Sequence, residues 1–222
     1  MRVFASESNL IKASVLAAVV TVISVGRLVE GGKSLGLFVP AIFLLMTFIA
    51  GAVTAWGQKA DMAGIVTSRQ VLIRGIVIAA LISAVALPAH IFWLDPVLRN
   101  ALAGAKNPSL LELSFPPTNT GRISLVLWMA GFQVMFLVAA PMSLFARLTN
   151  RQSVSFALCI ALRAYLTSRQ VALHGVGENG ALLVLVSVCE NAAQCFVFAR
   201  NGLAPAMLLA AGLQAHVFFP PR

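Results

Sequence analysis

The sequence has few charged residues for its length. Asp, Glu, Lys and Arg make up 10% of the 222 residues, and only seven of these side chains are acidic, whereas 59% of the residues are hydrophobic. A single soluble core cannot bury that much apolar surface, so lipid must replace water around much of the chain. The composition therefore excludes an ordinary soluble domain and predicts an integral membrane protein.

Cysteine is also scarce, and its spacing indicates no site. The three residues Cys159, Cys189 and Cys195 fall in apolar stretches and form no C-x-x-C pair. Neither a disulfide framework nor a zinc motif built on cysteine is predicted.

Basic charge exceeds acidic charge, but it is not concentrated. Sixteen Lys and Arg residues give a formal net charge of +9, yet they are scattered singly between apolar runs. A nucleic-acid-binding surface needs a basic patch or stripe, so nucleic acid is excluded as a partner. Scattered basic residues at the ends of apolar runs are typical of contact with lipid headgroups. We expect the lipid bilayer and other membrane protein subunits as partners.

The long apolar runs predict an all-α bundle of six or seven transmembrane helices, forming a single integral membrane domain over residues 1–222. The runs are continuous rather than alternating, which favours helices over a β-barrel in a solvent that cannot satisfy backbone polar groups. At about 20 residues per crossing, the predicted spans are Leu10–Leu28, Ser34–Trp56, Val71–Leu94, Ile123–Phe145, Val154–Leu173, Ala181–Phe198 and Leu203–Phe219. The longest extramembrane loop is expected at residues 95–122, and the expected location is a bacterial-type inner membrane.

Glu190 lies near the middle of the apolar run Ala181–Phe198. An acidic residue at the centre of a membrane helix costs about 2.5–3.5 kcal/mol, so it needs a partner or a function. Helical spacing places four polar side chains on one stripe of this run: Ser187, Glu190, Asn191 and Gln194. On the preceding span, Arg163 lies at a similar depth. The sequence thus predicts an intramembrane polar group, with Arg163 as the counter-ion of Glu190, joined by Asn191 and Gln194.

The three histidines fall in three different segments, as His90, His174 and His216. No two of them lie on one helix at a metal-binding spacing, so each is interpreted as an interfacial or hydrogen-bonded histidine, and no cofactor is predicted. The alternative is a metal site assembled across segments. Its candidate ligands are His174, Glu178, Glu190 and His216.

The segment Phe196–Leu209 combines an aromatic-rich helix end, a basic turn and a Gly-Leu pair that leads into another apolar run. This segment, with about the last 30 residues of the chain, resembles the last conserved segment of the CPBP (CAAX protease and bacteriocin-processing) family. The resemblance implies an intramembrane protease with a catalytic histidine on its final helix. Glu190 and His216 are the candidate catalytic residues under that interpretation.

The chain departs from the CPBP pattern in its catalytic residues. The paired-glutamate signature E-E-x-x-x-R is missing, because Glu178 and Glu190 are isolated. Ala211 stands where the final histidine is expected, and His216 is not followed by Asn four residues later. A member without these residues is expected to bind or to scaffold rather than to cleave.

The leading functional prediction is therefore non-enzymatic: an integral membrane subunit or accessory protein whose polar residues join helices or partners. The first alternative is a small-solute or proton-coupled transporter that uses Glu190. The second is a CPBP-like intramembrane hydrolase, either metal-dependent or based on a glutamate.

Overall fold

The computed structural model describes residues 7–30, 32, 34–57, 62–63, 65, 67–104, 109–176 and 179–219, and over these residues it is all-helical. The helices are α1 (Glu7–Glu30), α2 (Leu35–Gly57), α3 (Arg69–Ala89), α4 (Asp95–Ala103), α5 (Ser109–Ser114), α6 (Asn119–Trp128), α7 (Ala140–Thr149), α8 (Gln152–His174), α9 (Gly180–Asn201) and α10 (Leu203–Gln214). A π-helical segment, His90–Leu94, joins α3 to α4, and a second, Met129–Ala139, joins α6 to α7. A 3₁₀ turn, Ala215–Phe218, follows α10.

Five of these helical stretches are long and apolar enough to cross a membrane. They are Leu10–Val29, Leu35–Trp56, Arg69–Ala103, Asn119–Thr149 and Gly180–Asn201. The predicted count of six or seven spans is not confirmed, because two of the predicted spans are not among these five stretches. Helix α8 carries Arg163 and Arg169 and is not among the candidates, and Leu203–Phe218 is a shorter apolar helix. Over its described residues the chain is all-helical, with five candidate membrane-spanning helices.

The outer surface of the bundle is apolar, as lipid contact requires. On α3, Ile73, Val77, Leu81 and Val85 recur every four residues and share one face, and they are 51%, 51%, 63% and 77% exposed. A contiguous apolar face of this kind would be unfavourable in water but matches the hydrocarbon of a bilayer.

Helix α10 lies at the centre of the bundle, in contact with α3, α9 and the π-helical segment Met129–Ala139. Its Ala206 and Leu209 are fully buried. Glycine allows α3 and α10 to approach closely, because a Cβ on Gly75 would lie 2.6 Å from both Asn201 Cβ and Pro205 Cγ. The close approach sets the position of the end of α10 relative to α3.

The predicted loop at residues 95–122 begins too early. Helical structure continues through Asp95 to Ala103, and α5 and the start of α6 occupy much of the rest of the described part. Leu98, Leu102 and Phe115 form a second buried apolar cluster there. Residues 105–108 lie outside the described residues. The described part of this connection is therefore helical and packed rather than an open loop.

We predict that Gly75→Ala destabilises the protein by about 1–3 kcal/mol, because the added methyl group overpacks the contact between α3 and α10. The measurement is the midpoint of thermal or SDS unfolding in detergent. Gly36→Ala is the matched control, since a Cβ on Gly36 meets nothing within 4 Å. Equal midpoints for the two variants would contradict the proposed close approach.

Candidate functional site

The π-helical segment after α3 brings His90 and Asp95 to the same side of the helix. In a regular helix of 3.6 residues per turn, two residues five apart are separated by about 140° around the axis. Here the backbone N–H of Asp95 donates to the carbonyl of His90, five residues earlier. The wider turn nearly superimposes the two side chains. Pro88 and Pro96 flank it, and since neither has an N–H, the regular hydrogen-bond ladder is weakened on both sides.

His216 lies 121 positions after Asp95 in the sequence. It lies in the 3₁₀ turn that follows α10 and is 5% exposed. The approach of α10 to α3 places the His216 ring against that of His90, with ring centroids 4.4 Å apart and planes at 23°. Both imidazoles therefore face the same buried carboxylate.

These two histidines, Asp95 and Glu190 form one group, which we call the acid–histidine cluster. Asp95 Oδ2 accepts a hydrogen bond from His216 Nδ1 at 2.7 Å. His90 Nε2 lies 3.1 Å from Glu190 Oε1, and His90 Nδ1 lies 3.5 Å from Asp95 Oδ1. Asp95 is fully buried, and the side chain of Glu190 is 15% exposed. The cluster thus links α3, α4, α9 and the turn after α10.

An aromatic and apolar cap covers the His216 side of the cluster. The Phe115 ring meets His216 edge-on, with centroids 6.0 Å apart, and the Arg99 guanidinium lies 4.0 Å from the Phe115 centroid. Because Phe115 also packs with Leu98 and Leu102, water is kept away from Asp95 on this side.

A small polar cavity lies on the Glu190 side. Its free volume is about 10 Å³, enough for about one water. Its walls are formed by Met129, Gln133, Leu137, Arg163, Ser187, Glu190, Asn191 and Gln194. Glu190 is therefore the residue that connects the buried cluster to a site suited to water.

The predicted polar stripe lines this cavity, but its pairing differs from the prediction. Arg163, Glu190, Asn191 and Gln194 all contribute to the wall. Arg163 and Glu190, both in the described part of the chain, form no direct ion pair; the Arg163 Nε–H donates to Ser187 Oγ at 2.6 Å, and the ion-pair partner of Glu190 is His90. The positions of residues along their spans did not reveal that His90, from the first half of the chain, contacts Glu190 in place of Arg163.

Asn191, in the wall of the cavity, donates a hydrogen bond to a backbone carbonyl for which proline supplies no N–H. Pro141 has no N–H to offer the Leu137 carbonyl four residues earlier. That carbonyl accepts from Asn191 Nδ2 at 3.5 Å and from the Cys159 thiol at 3.4 Å. The Cys195 thiol lies 3.3 Å from the Cys159 sulfur, so both cysteines also join this polar contact.

The predicted metal set is only partly brought together. Glu190 and His216 belong to the cluster, whereas His174 lies at the far end of α8, and Glu178 lies outside the described residues. His90, Asp95 and His216 instead have ligand atoms within 4.8 Å of one another. Sequence reasoning missed this pair because it placed His90 near the end of a span and Asp95 at the start of the following loop. The available signal was their spacing of five residues between two prolines.

A larger groove lies elsewhere and is less suited to chemistry. It measures about 570 Å³ and includes Arg74, Arg200 and Asn201 in its lining. Asn201 is eleven residues beyond Glu190 on α9, a distance of about 16 Å along the helix. The groove holds no carboxylate or histidine in its described lining. The acid–histidine cluster is therefore the candidate reacting centre.

We predict that Asp95→Asn lowers stability by about 1.5–3 kcal/mol, because the His216 hydrogen bond loses its charged acceptor in a buried site. The measurement is the unfolding midpoint of the detergent-solubilised protein. Glu112→Gln, at an exposed acidic residue of α5, is the control and should change stability by less than about 0.5 kcal/mol. An unchanged midpoint for Asp95→Asn would show that the buried contact contributes nothing.

Comparison with known proteins gives no relative. The chain matches no protein-family model, no curated protein and no solved structure. The resemblance of Phe196–Leu209 to the CPBP family stays a prediction, and the function must be inferred from the geometry of the cluster.

Proposed function

We propose that the protein is a membrane-embedded hydrolase whose reacting centre is the acid–histidine cluster. The observation that carries this proposal is the convergence of two carboxylates and two imidazoles in an apolar interior. A helix-joining ion pair needs only one acid and one base, with every polar atom satisfied. Here the buried atoms His90 Nδ1 and Asp95 Oδ1 have no hydrogen-bond partner. Such arrangements are typical of reacting centres.

Glu190 is the group placed to activate water. Its carboxylate contacts His90 and also borders the water-sized cavity. Acting as a general base, it takes a proton from water, and the resulting hydroxide adds to the carbonyl carbon of an amide or ester. The proton then passes to the leaving nitrogen or oxygen as its bond to carbon breaks. The N–H groups of Arg163, Gln133 and Gln194 in the same wall supply donors for the oxyanion.

Two further features support hydrolysis of a substrate that is reached through lipid. The residues of the cluster lie on candidate spans and on the apolar helix Leu203–Phe218, so a lipid-borne amide or ester is the substrate class that we propose. The terminal segment that resembles the CPBP family carries His216 on the same final helix. In this proposal His216 replaces the histidine that the family pattern would place at Ala211.

We predict that Glu190→Gln lowers hydrolysis by about 10²–10⁴-fold, the usual contribution of a general base. The assay uses proteoliposomes that contain either a quenched fluorescent transmembrane peptide or a chromogenic acyl ester. Cys189→Ser, at an exposed neighbour on α9, is the matched control and should retain activity.

Two results would contradict the hydrolase proposal. In the first, wild type and Glu190→Gln give equal rates. In the second, nothing is cleaved, while Glu190→Gln lowers yield and a partner protein co-purifies in stoichiometric amount with the wild type. The second result is the one that the accessory-subunit prediction requires.

A second candidate function is proton-coupled transport, and one observation favours it. Titratable groups form an unbroken series from the cavity through Glu190, His90 and Asp95 to His216. Such a series resembles the carboxylate and histidine relays of pumps and transporters. Proton uptake into proteoliposomes that requires both Glu190 and His90, without hydrolysis, would favour transport.

We also propose that α8 crosses the membrane together with the five candidate spans, giving six passes in a bacterial-type inner membrane. Helix α8 packs against α9 and α7, and its 23 residues match the length of a span. Its Arg163 faces the internal cavity, which is where a charged residue of a span is tolerated.

The crossing of α8 predicts that its two ends lie on opposite sides of the membrane. Single cysteines introduced at Arg151 and Asn179, both exposed, in a Cys189→Ser background should react with an impermeant maleimide from opposite sides. The natural Cys159 and Cys195 are buried and should stay unlabelled. Labelling of both positions from one side would overturn the crossing.

A further inference from the structure

We propose that the acid–histidine cluster binds a divalent transition-metal ion, with zinc as the first choice. The ligands are Nδ1 of His90, a carboxylate oxygen of Asp95 and Nδ1 of His216. The role of the ion in hydrolysis rests on the proposed function, but its binding does not.

The buried atoms between the proposed ligands lack hydrogen-bond partners. Glu190 lies 3.1 Å from His90 Nε2, where a carboxylate accepts the Nε2 proton. When His90 carries only that proton, its Nδ1 presents a lone pair, which faces Asp95 Oδ1 at 3.5 Å. Neither atom has a hydrogen-bond partner, although His90 is 4% exposed and Asp95 is fully buried. Two such atoms in a dry site need a cation between them, either a second proton on His90 or a metal ion, and a metal ion is also within reach of His216.

The spacing of the three proposed ligands is close to the spacing of ligand atoms around a tetrahedral metal ion. Ligand atoms that lie about 2.0–2.2 Å from a tetrahedral zinc ion are about 3.3 Å from one another. The two contacts of Asp95 with the histidines are 3.5 Å and 2.7 Å, and all three ligand atoms lie within 4.8 Å of one another. Small shifts of the ligand side chains, without a change of rotamer, are enough to accommodate the ion. The hydrogen bond between His216 and Asp95 opens when the metal displaces its proton.

The charges of the cluster also favour a metal ion. Asp95 and Glu190 bring two carboxylates into the interior, and the imidazoles in contact with them offset that charge only when they are protonated. Arg99, stacked on Phe115, forms no ion pair with Asp95 among the described residues. Uncompensated charge in low dielectric is costly. One divalent cation neutralises both carboxylates without requiring either histidine to be protonated.

The ligand types identify the class of metal. Two imidazoles and one carboxylate form the set found in catalytic zinc sites, where water occupies the fourth position, and in non-haem iron sites. Magnesium and calcium prefer oxygen ligands and are disfavoured here. Besides its proposed role as general base, Glu190 orients the ring of His90 through the outer nitrogen, as carboxylates do behind metal-bound histidines. The Phe115 cap supplies the dry shell.

The test measures metal directly in the full-length protein, purified in mild detergent with a tag that contains no histidine. We expect about one zinc or iron ion per chain by elemental analysis, or uptake of about one Zn²⁺ or Co²⁺ after chelation, with a Co²⁺ absorption band in the visible region. Zinc should raise the unfolding midpoint of the chelated wild type.

Variants assign the ligands. His90→Asn, Asp95→Asn and His216→Asn should each abolish stoichiometric uptake. Glu190→Gln should keep the site but weaken its affinity by about 10–100-fold. His174→Asn, which changes the remaining histidine at the end of α8, is the matched control and should bind as wild type does. If a ligand variant fails to fold, uptake by the wild type and its unfolding midpoint still decide.

The outcomes separate this proposal from the hydrolase assignment. Absence of uptake by the wild type, or unchanged uptake in Asp95→Asn and His216→Asn, overturns the metal site. Hydrolysis at full rate in metal-free protein supports the hydrolase proposal and contradicts a role of the metal ion in the reaction. Stoichiometric metal binding without cleavage of either substrate supports the metal site and contradicts the hydrolase proposal.

Discussion

The burial of Asp95 and Glu190 is the constraint on which the rest of the structure depends. Each carboxylate lies in a candidate membrane span, where an unpaired charge is costly. Their partners come from distant parts of the sequence: His216 reaches Asp95, and His90 reaches Glu190. Because the contacts are short and charged, they fix α3, α9 and α10 relative to one another. Apolar packing in lipid cannot do this alone, since lipid chains and side chains are equally apolar.

Irregular helices make these contacts geometrically possible. The π-helical turn at His90–Leu94 aligns two side chains that a regular helix would separate, and prolines lie on both sides of it. The longer π-helical segment ends near Pro141, where the Leu137 carbonyl is bridged by Asn191. In both places the missing proline N–H weakens the backbone ladder, and a side chain or a wider turn replaces it. The irregular backbone lies where the polar residues meet.

The cluster lies at a boundary between a dry region and a wet one. Phe115 and its apolar neighbours close one side, and the cavity with Arg163 and Gln194 gives the other side room for about one water. Electrostatic interactions are stronger in such an enclosure than in water. Room for a single water beside a carboxylate, with buried imidazoles behind it, is the physical basis of the proposed chemistry. It also means that a substrate must enter by displacing packed side chains or by local opening.

The sequence by itself determined the membrane setting and the helical class, because hydropathy and the need to satisfy the backbone leave few alternatives. It also identified the stripe with Glu190, Asn191 and Gln194, since residues on one helix share a face by spacing alone. Composition did not settle how many helices cross, as the charged α8 and the short α10 show. Only the tertiary structure decided that Glu190 meets His90 rather than Arg163, and that Asp95 joins His216 across 121 positions. Such pairings depend on how helices far apart in sequence pack together, and on a π-helical turn whose register the spacing pattern of a regular helix does not predict.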